Sequence, residues 1–200
     1  MLHAMGKRPE KTERTRAELE QAFWQLYALR PIEKITVGEV CQRAGYNRAT
    51  FYSHYHDIYE MLEGIEQRML EGMAACVESC MGRLAGDDGK LARLAALKDV
   101  ILFYERNRSY IVVLLGEQGD PAFIVSLKDR LKPLWRTYVI GEEAAAGRSE
   151  YEIDLLLEYT LSGTLFMVGR WLADPGDISA AQMGRLVYDA AIRDVSARLR

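Results

Sequence analysis

A chain of 200 residues can bury one or two hydrophobic cores, and a composition of 49% hydrophobic and 28% charged residues is that of an ordinary globular protein. No apolar run approaches the ~20 residues needed to span a bilayer, and the opening MLHAMGKRPEKTERTR lacks the apolar stretch of a secretory leader, which predicts a cytoplasmic protein with no membrane partner. A net charge of −3 excludes a chain coated in basic residues, but Lys7, Arg8, Lys11, Arg14 and Arg16 against Glu10 and Glu13 make a basic arm, a distribution compatible with nucleic acid.

Along the chain, Leu19, Phe23 and Leu26 fall at i, i+4 and i+7 and give a first helix its apolar stripe. Thr15 and Glu18 have the spacing of a capping box, although the basic residues ahead of them suggest an earlier start. Pro31 closes this helix because its ring cannot continue the hydrogen-bond ladder. Thr36 with Glu39 forms a second capping box, opening a helix with Val40 and Ala44 inward, and Gly45 stops it in a turn that favours positive φ. Asn47 can cap the next helix, with Phe51 and Tyr55 on one face. Asp57 with Glu60 opens a long fourth helix through Met61, Leu62, Ile65, Met69, Met73, Cys76 and Met81.

Beyond it, GDDGK, GEQGDP, GEEAAAGRSE and ADPGD punctuate the chain into helices over roughly 91–106, 108–115, 121–140, 150–173 and 178–198. With no period-two pattern, the fold class is all-α: a three-helix head over residues 1–57 and a larger helical body over 58–200.

The run FYSHYHDIYE, residues 51 to 60, concentrates three tyrosines and two histidines, which suits a metal site, an acid–base site or a nucleic-acid surface. His54 and His56, two apart, point to different sides of a helix and cannot chelate one ion there. Cys76 and Cys80 can share a helix face but need two further ligands, and small buried hydrophobes are the plainer reading. An acid–base role needs a partner carboxylate, and Asp57 is better used as a helix cap. With no nucleophile motif, phosphate-cradling glycine loop or metal constellation, neither an enzyme nor a bound cofactor or metal is expected.

Two short helices across Gly45-Tyr46-Asn47 have the layout of a helix-turn-helix, whose second helix enters the DNA major groove. With Phe51 and Tyr55 inward, Arg48 and Tyr52 share an outward face, flanked by Thr50 and His54. Arg48 can fork onto a guanine and Ala49 can approach a thymine methyl, while Tyr52, Thr50 and His54 can donate to phosphates.

The stretch KITVGEVCQRAGYNRATFYSHYHDIYEMLEGIE resembles the DNA-binding head of the tetracycline-repressor (TetR/AcrR-like) family without a gap from Lys34 to Glu66. Thr36, Cys41, Gly45 and Tyr52 match the family's pattern, and the resemblance implies DNA contacts at Thr36, Arg48, Ala49, Thr50, Tyr52 and His54. Two positions depart from it. Ile58 stands where the family places a phosphate-binding lysine, and Gly38 offers no side chain where some members read a base. A lost phosphate contact implies weaker operator binding with a flatter salt dependence, for which Arg48 and the basic arm would compensate.

LLGEQGDPAFIVSLK resembles the body of a subgroup of that family that includes an activator of dihydroxyacetone kinase expression. Phe103, Tyr104, Trp135, Tyr138 and Phe166 are candidate lining residues for an apolar effector pocket, although ordinary core packing is the plainer reading of any one ring. Tyr159, Gly163, Phe166 and Arg170 fall near one face of a late helix, and Met183, Leu186, Val187, Ala190 and Ile192 stud the last. Two such helices from each subunit would form a four-helix dimer interface. The resemblance therefore implies a homodimeric, ligand-responsive regulator, most often a repressor in this family, on a palindromic DNA operator. The rival reading is a coactivator of the same fold that acts through protein contacts without DNA.

Overall fold

In the computed structural model the described residues are 7–85, 99–100, 102–116, 119–140 and 145–193, and every regular element among them is helical. Helix α1, Lys7–Tyr27, runs straight through the Thr15–Glu18 pair, so the cap expected there does not form. Because the turn before Thr15 is already helical, the backbone N–H groups have carbonyl partners and need no cap. Thr15 instead donates its hydroxyl back to the Lys11 carbonyl at 2.9 Å, and Glu18 takes Arg14 and the Tyr46 hydroxyl.

A single 3-10 turn, Ile32–Lys34, leads to α2, Val37–Ala44. The Thr36–Glu39 capping box opens α2, and Gly45 closes it at φ 76°, a left-handed conformation that costs other residues a clash at Cβ. Asn47 accepts from the Thr50 N–H to cap α3, Arg48–Tyr52. Helix α3 is shorter than the Phe51–Tyr55 spacing suggests, yet both rings are buried and lie 5.8 Å apart. Asp57 accepts from the N–H groups of Tyr59 and Glu60 to start α4, Ile58–Ala85.

The chain divides into two compact units, Met1–Arg68 and Met69–Arg200, with the boundary inside α4. The core of the first unit joins Leu19 and Phe23 of α1, Val40 of α2, Phe51 of α3 and Met61 and Ile65 of α4, all essentially inaccessible. Each such side chain contributes about 1.5–3 kcal/mol through removal from water.

In the second unit, residues 102 to 106 are helical, followed by α5, Arg108–Leu114, and α6, Pro121–Trp135. Asp120 caps α6 and Pro121 occupies its first turn, where a missing N–H costs nothing. Past the internal Pro133, α6 loosens into a π-helical turn, Arg136–Ile140, as expected where a proline interrupts the ladder. Helix α7, Glu150–Ala173, and α8, Ala180–Val187, open with the Ser149–Glu152 and Ser179–Gln182 capping boxes, and a second π-helical turn, Tyr188–Arg193, follows α8.

Helix α7 is the hub of this unit and packs against α5, α6 and α8. Its Ile153, Leu157 and Leu161 are buried, as are Phe123, Leu127, Leu131 and Trp135 along α6. Lys128–Glu158, Lys132–Asp154 and Arg136–Glu150 form three outer rungs between α6 and α7, which therefore run antiparallel. The expected helices over 108–115, 121–140 and 150–173 match these elements within a few residues. Most of 91–106 and the end of 178–198 lie outside the described residues.

Candidate functional site

The tight turn between α2 and α3 decides what the first unit presents to its surroundings. Gly45 in the left-handed region and Asn47 as cap turn the chain within three residues, so α3 starts with its core face already fixed by Phe51. Arg48, Ala49 and Tyr52 are then exposed, Tyr52 by 56%, while Thr50 and His54 are half-buried beside them. Tyr52 sits edge-on to Phe51 at 5.6 Å, which props the ring while its hydroxyl has no hydrogen-bond partner among the described residues.

Arg48 forms no ion pair among the described residues. Its guanidinium lies across α2, where a Cβ built on Gly38 would stand 3.0 Å from Nη2. A Cβ there would press only on the mobile tip of the arginine, which has room to shift. Burial pushes the Cys41 thiol up from its ordinary pKa, and the nearby Arg48 charge pulls it the other way.

Two of the expected contact residues already have partners. The Thr36 hydroxyl donates to Glu39 at 2.8 Å, and the Thr50 hydroxyl donates to Asn47 Oδ1 at 3.1 Å. Arg30 lies 2.7 Å from Glu39 and, together with the Thr36 contacts, holds that carboxyl below the usual carboxylate range. Ile58 is buried and presents nothing to a phosphate.

A polar hub behind this surface was not foreseen in the sequence. The Glu20 side chain, 11% exposed, is met by Arg16 of α1 at 2.9 Å, by Arg68 of α4 and by the Tyr55 hydroxyl. Arg16 also reaches Tyr55 Oη at 2.9 Å. Burial, and then Glu20 as acceptor, push the Tyr55 hydroxyl well above its ordinary pKa, so it stays a donor. The Arg16–Glu20 spacing of four is readable from sequence. The approach of Tyr55 and Arg68, 35 and 48 residues away, is tertiary.

The second unit contains a cavity of about 130 Å³ with almost entirely apolar walls. Tyr104, Trp135 and Trp171 give rings, while Cys80, Met81 and Met183 give sulfur. Trp171 donates its indole N–H to the Ile178 carbonyl at 2.8 Å, whereas that of Trp135 is buried with no partner among the described residues. Thr164, also on the wall, spends its hydroxyl on the Thr160 carbonyl. Burial pushes the Cys80 thiol up to about 11 and the Tyr104 phenol higher than its ordinary value, so both are neutral.

Of the five rings expected to line a pocket, Tyr104 and Trp135 do so, and the other three are placed elsewhere. Phe103 lies against α4, its ring 3.0 Å from where a Gly72 Cβ would be, and Tyr138 approaches Gly82 with its hydroxyl. Phe166 is 78% exposed on the outer face of α7. Conversely, Met183 and Val187, expected on an intersubunit face, line the cavity. The side chain of Ile192 lies outside the described residues.

No sequence-family model matches the chain. Among solved structures it is similar to a TetR transcriptional regulator from Streptococcus agalactiae, with 21% identity, a TM-score of 0.60, and coverage of 96% of this chain and 100% of the other. It is also similar to the dihydroxyacetone kinase operon activator DhaS, with 14% identity, a TM-score of 0.53, and coverage of 92% and 96% respectively. A likeness over nearly the whole of both partners at such low identity is a statement about architecture, and the chain has the fold of the TetR transcription regulators.

Proposed function

We propose that this chain is a cytoplasmic, homodimeric, effector-responsive regulator of transcription that binds a roughly palindromic DNA operator, most simply as a repressor. The observation that carries the reading is the division of α3: Phe51 is wholly buried, while Arg48, Ala49 and Tyr52 face outward beyond a glycine turn. A cation without an ion pair and an unpartnered phenol on such a face are suited to a base edge and a phosphate. Base reading falls chiefly on Arg48. Thr36, Thr50, Tyr52 and His54 serve the backbone, the two threonines by exchanging their present acceptors for phosphate.

The dimer reading rests on α7, where Tyr151, Leu155, Tyr159 and Phe166 form an exposed stripe at spacings of four, four and seven. A second copy covering that stripe removes it from water, and a two-fold pair of heads then meets two half-sites. Helix α4 is continuous across the boundary between the units, so a displacement of its body end by an effector would change the separation of the two recognition helices. The effector acts only through its different affinity for the two separations. The name of DhaS makes activation the alternative sign of the same device.

Selection of bound sequences from a random DNA pool tests the reading, with enrichment of a two-fold-symmetric site as the expected result. The buried Ile58 favours one competing function, a coactivator that docks on protein without DNA. No enriched site, together with no retention on heparin or random DNA at low salt, would select that alternative.

A further inference from the structure

We propose that the cavity of the second unit takes an uncharged, single-ring hydrophobic molecule, of the class of benzene and its small neutral derivatives. This deepens the regulator reading, resting on it for the consequence of binding but not for binding itself.

Size sets the first bound. At about 130 Å³ the space bounded by the described residues is close to the ~150 Å³ of an engineered apolar cavity that holds one benzene, which favours one ring over two fused rings. Charge sets the second. Among the described residues no wall side chain is of a type ionised at neutral pH, and Cys80, with its thiol pushed up to about 11, adds no thiolate. A carboxylate, phosphate or ammonium entering here would surrender its hydration without a counter-charge. Surface chemistry sets the third. Tyr104, Trp135 and Trp171 offer ring faces and edges, and Met81 and Met183 offer polarisable sulfur, all of which favour an aromatic guest over an aliphatic one of equal volume.

The test is calorimetric titration of the full chain with toluene, anisole, benzoate and naphthalene, without DNA. Toluene and anisole are expected to bind saturably at one per chain, with benzoate at least about 100-fold weaker and naphthalene about tenfold weaker. Gly184→Leu fills the cavity from α8, where an added Cβ meets nothing within 4 Å, and is expected to keep the helical spectrum while losing toluene at least about tenfold. If that variant fails to fold, Val168→Phe occupies the same space from α7.

Benzoate binding as tightly as toluene, no saturable binding of either neutral ring, or undiminished toluene binding in the filled variant would each overturn the assignment. Toluene that binds yet leaves the affinity for a selected operator unchanged would support this inference and defeat the effector role. A selected operator with no ring binding would defeat this inference and leave the DNA-binding reading standing.

Discussion

The two units place charge and apolar surface in opposite ways. In the first, aromatic side chains fill the interior, a buried carboxylate ties α1 to α4 and to Tyr55 between α3 and α4, and an arginine with no ion pair among the described residues is left on the outside. In the second, three ion pairs run along the outer faces of α6 and α7, and the rings line a hollow with no charged wall side chain among the described residues. The difference agrees with the ligand proposed for each. A polyanion is met at the surface, where cations remain hydrated until phosphates replace their water and counterions. A neutral ring is held by excluding water altogether, which any interior charge would oppose.

The largest expected effect breaks the first unit alone. Phe51→Ala should cost about 3–5 kcal/mol in urea unfolding followed by a head-specific probe, because a fully buried ring leaves a void. Toluene binding by the second unit should survive, and its loss would show that the two halves are not separable. Next, Arg48→Ala should weaken binding to a selected operator by about 1–3 kcal/mol in a fluorescence anisotropy titration, with the melting temperature almost unchanged. Glu20→Ala should cost about 1–2 kcal/mol of stability, less than a fully buried ion pair, because Arg16 and Arg68 remain partly exposed and can recover water.

Gly45→Ala should cost about 1 kcal/mol through the left-handed backbone, with a weakened operator complex as its sign in a gel-shift assay. The smallest effect is on pH dependence. Glu39 has its pKa depressed by Arg30 and by Thr36, and Glu150 has its pKa depressed by Arg136. Each therefore contributes stability that is present above pH 4.5, the ordinary glutamate value, and is lost as the pH falls through the lower folded value. Melting curves between pH 6 and about 3 should show a fall that is shallower in Glu39→Gln and, separately, in Glu150→Gln. Equal slopes in wild type and both variants would remove these pairs from the account.

Much of the helical layout was legible because its determinants are local. The Thr36–Glu39 box, Gly45, the Asn47 cap and Asp57 ahead of α4 each act within four residues, and the chain uses them at those positions. Thr15 shows the limit of such reading, since the same capping pattern is silent once the preceding turn is helical. The outward set at α3 was readable from Phe51 and its neighbours, but the approach of the Arg48 guanidinium to Gly38 was not, as nothing local joins positions ten apart across a turn.

In the body, legibility was poorer still. Ring-bearing residues were visible, yet composition could not say that Phe103 lies against Gly72, that Phe166 faces out, or that Met183 and Val187 close a cavity. The amino-acid order alone determined where α2, α3 and α4 begin and where the turn between α2 and α3 falls, because caps and glycine turns are short-range effects. Tertiary structure decided which apolar side chains fill a core, which line a hollow and which are left exposed. Those outcomes depend on how closely separate helices approach, and that distance is set by packing between residues far apart in the chain.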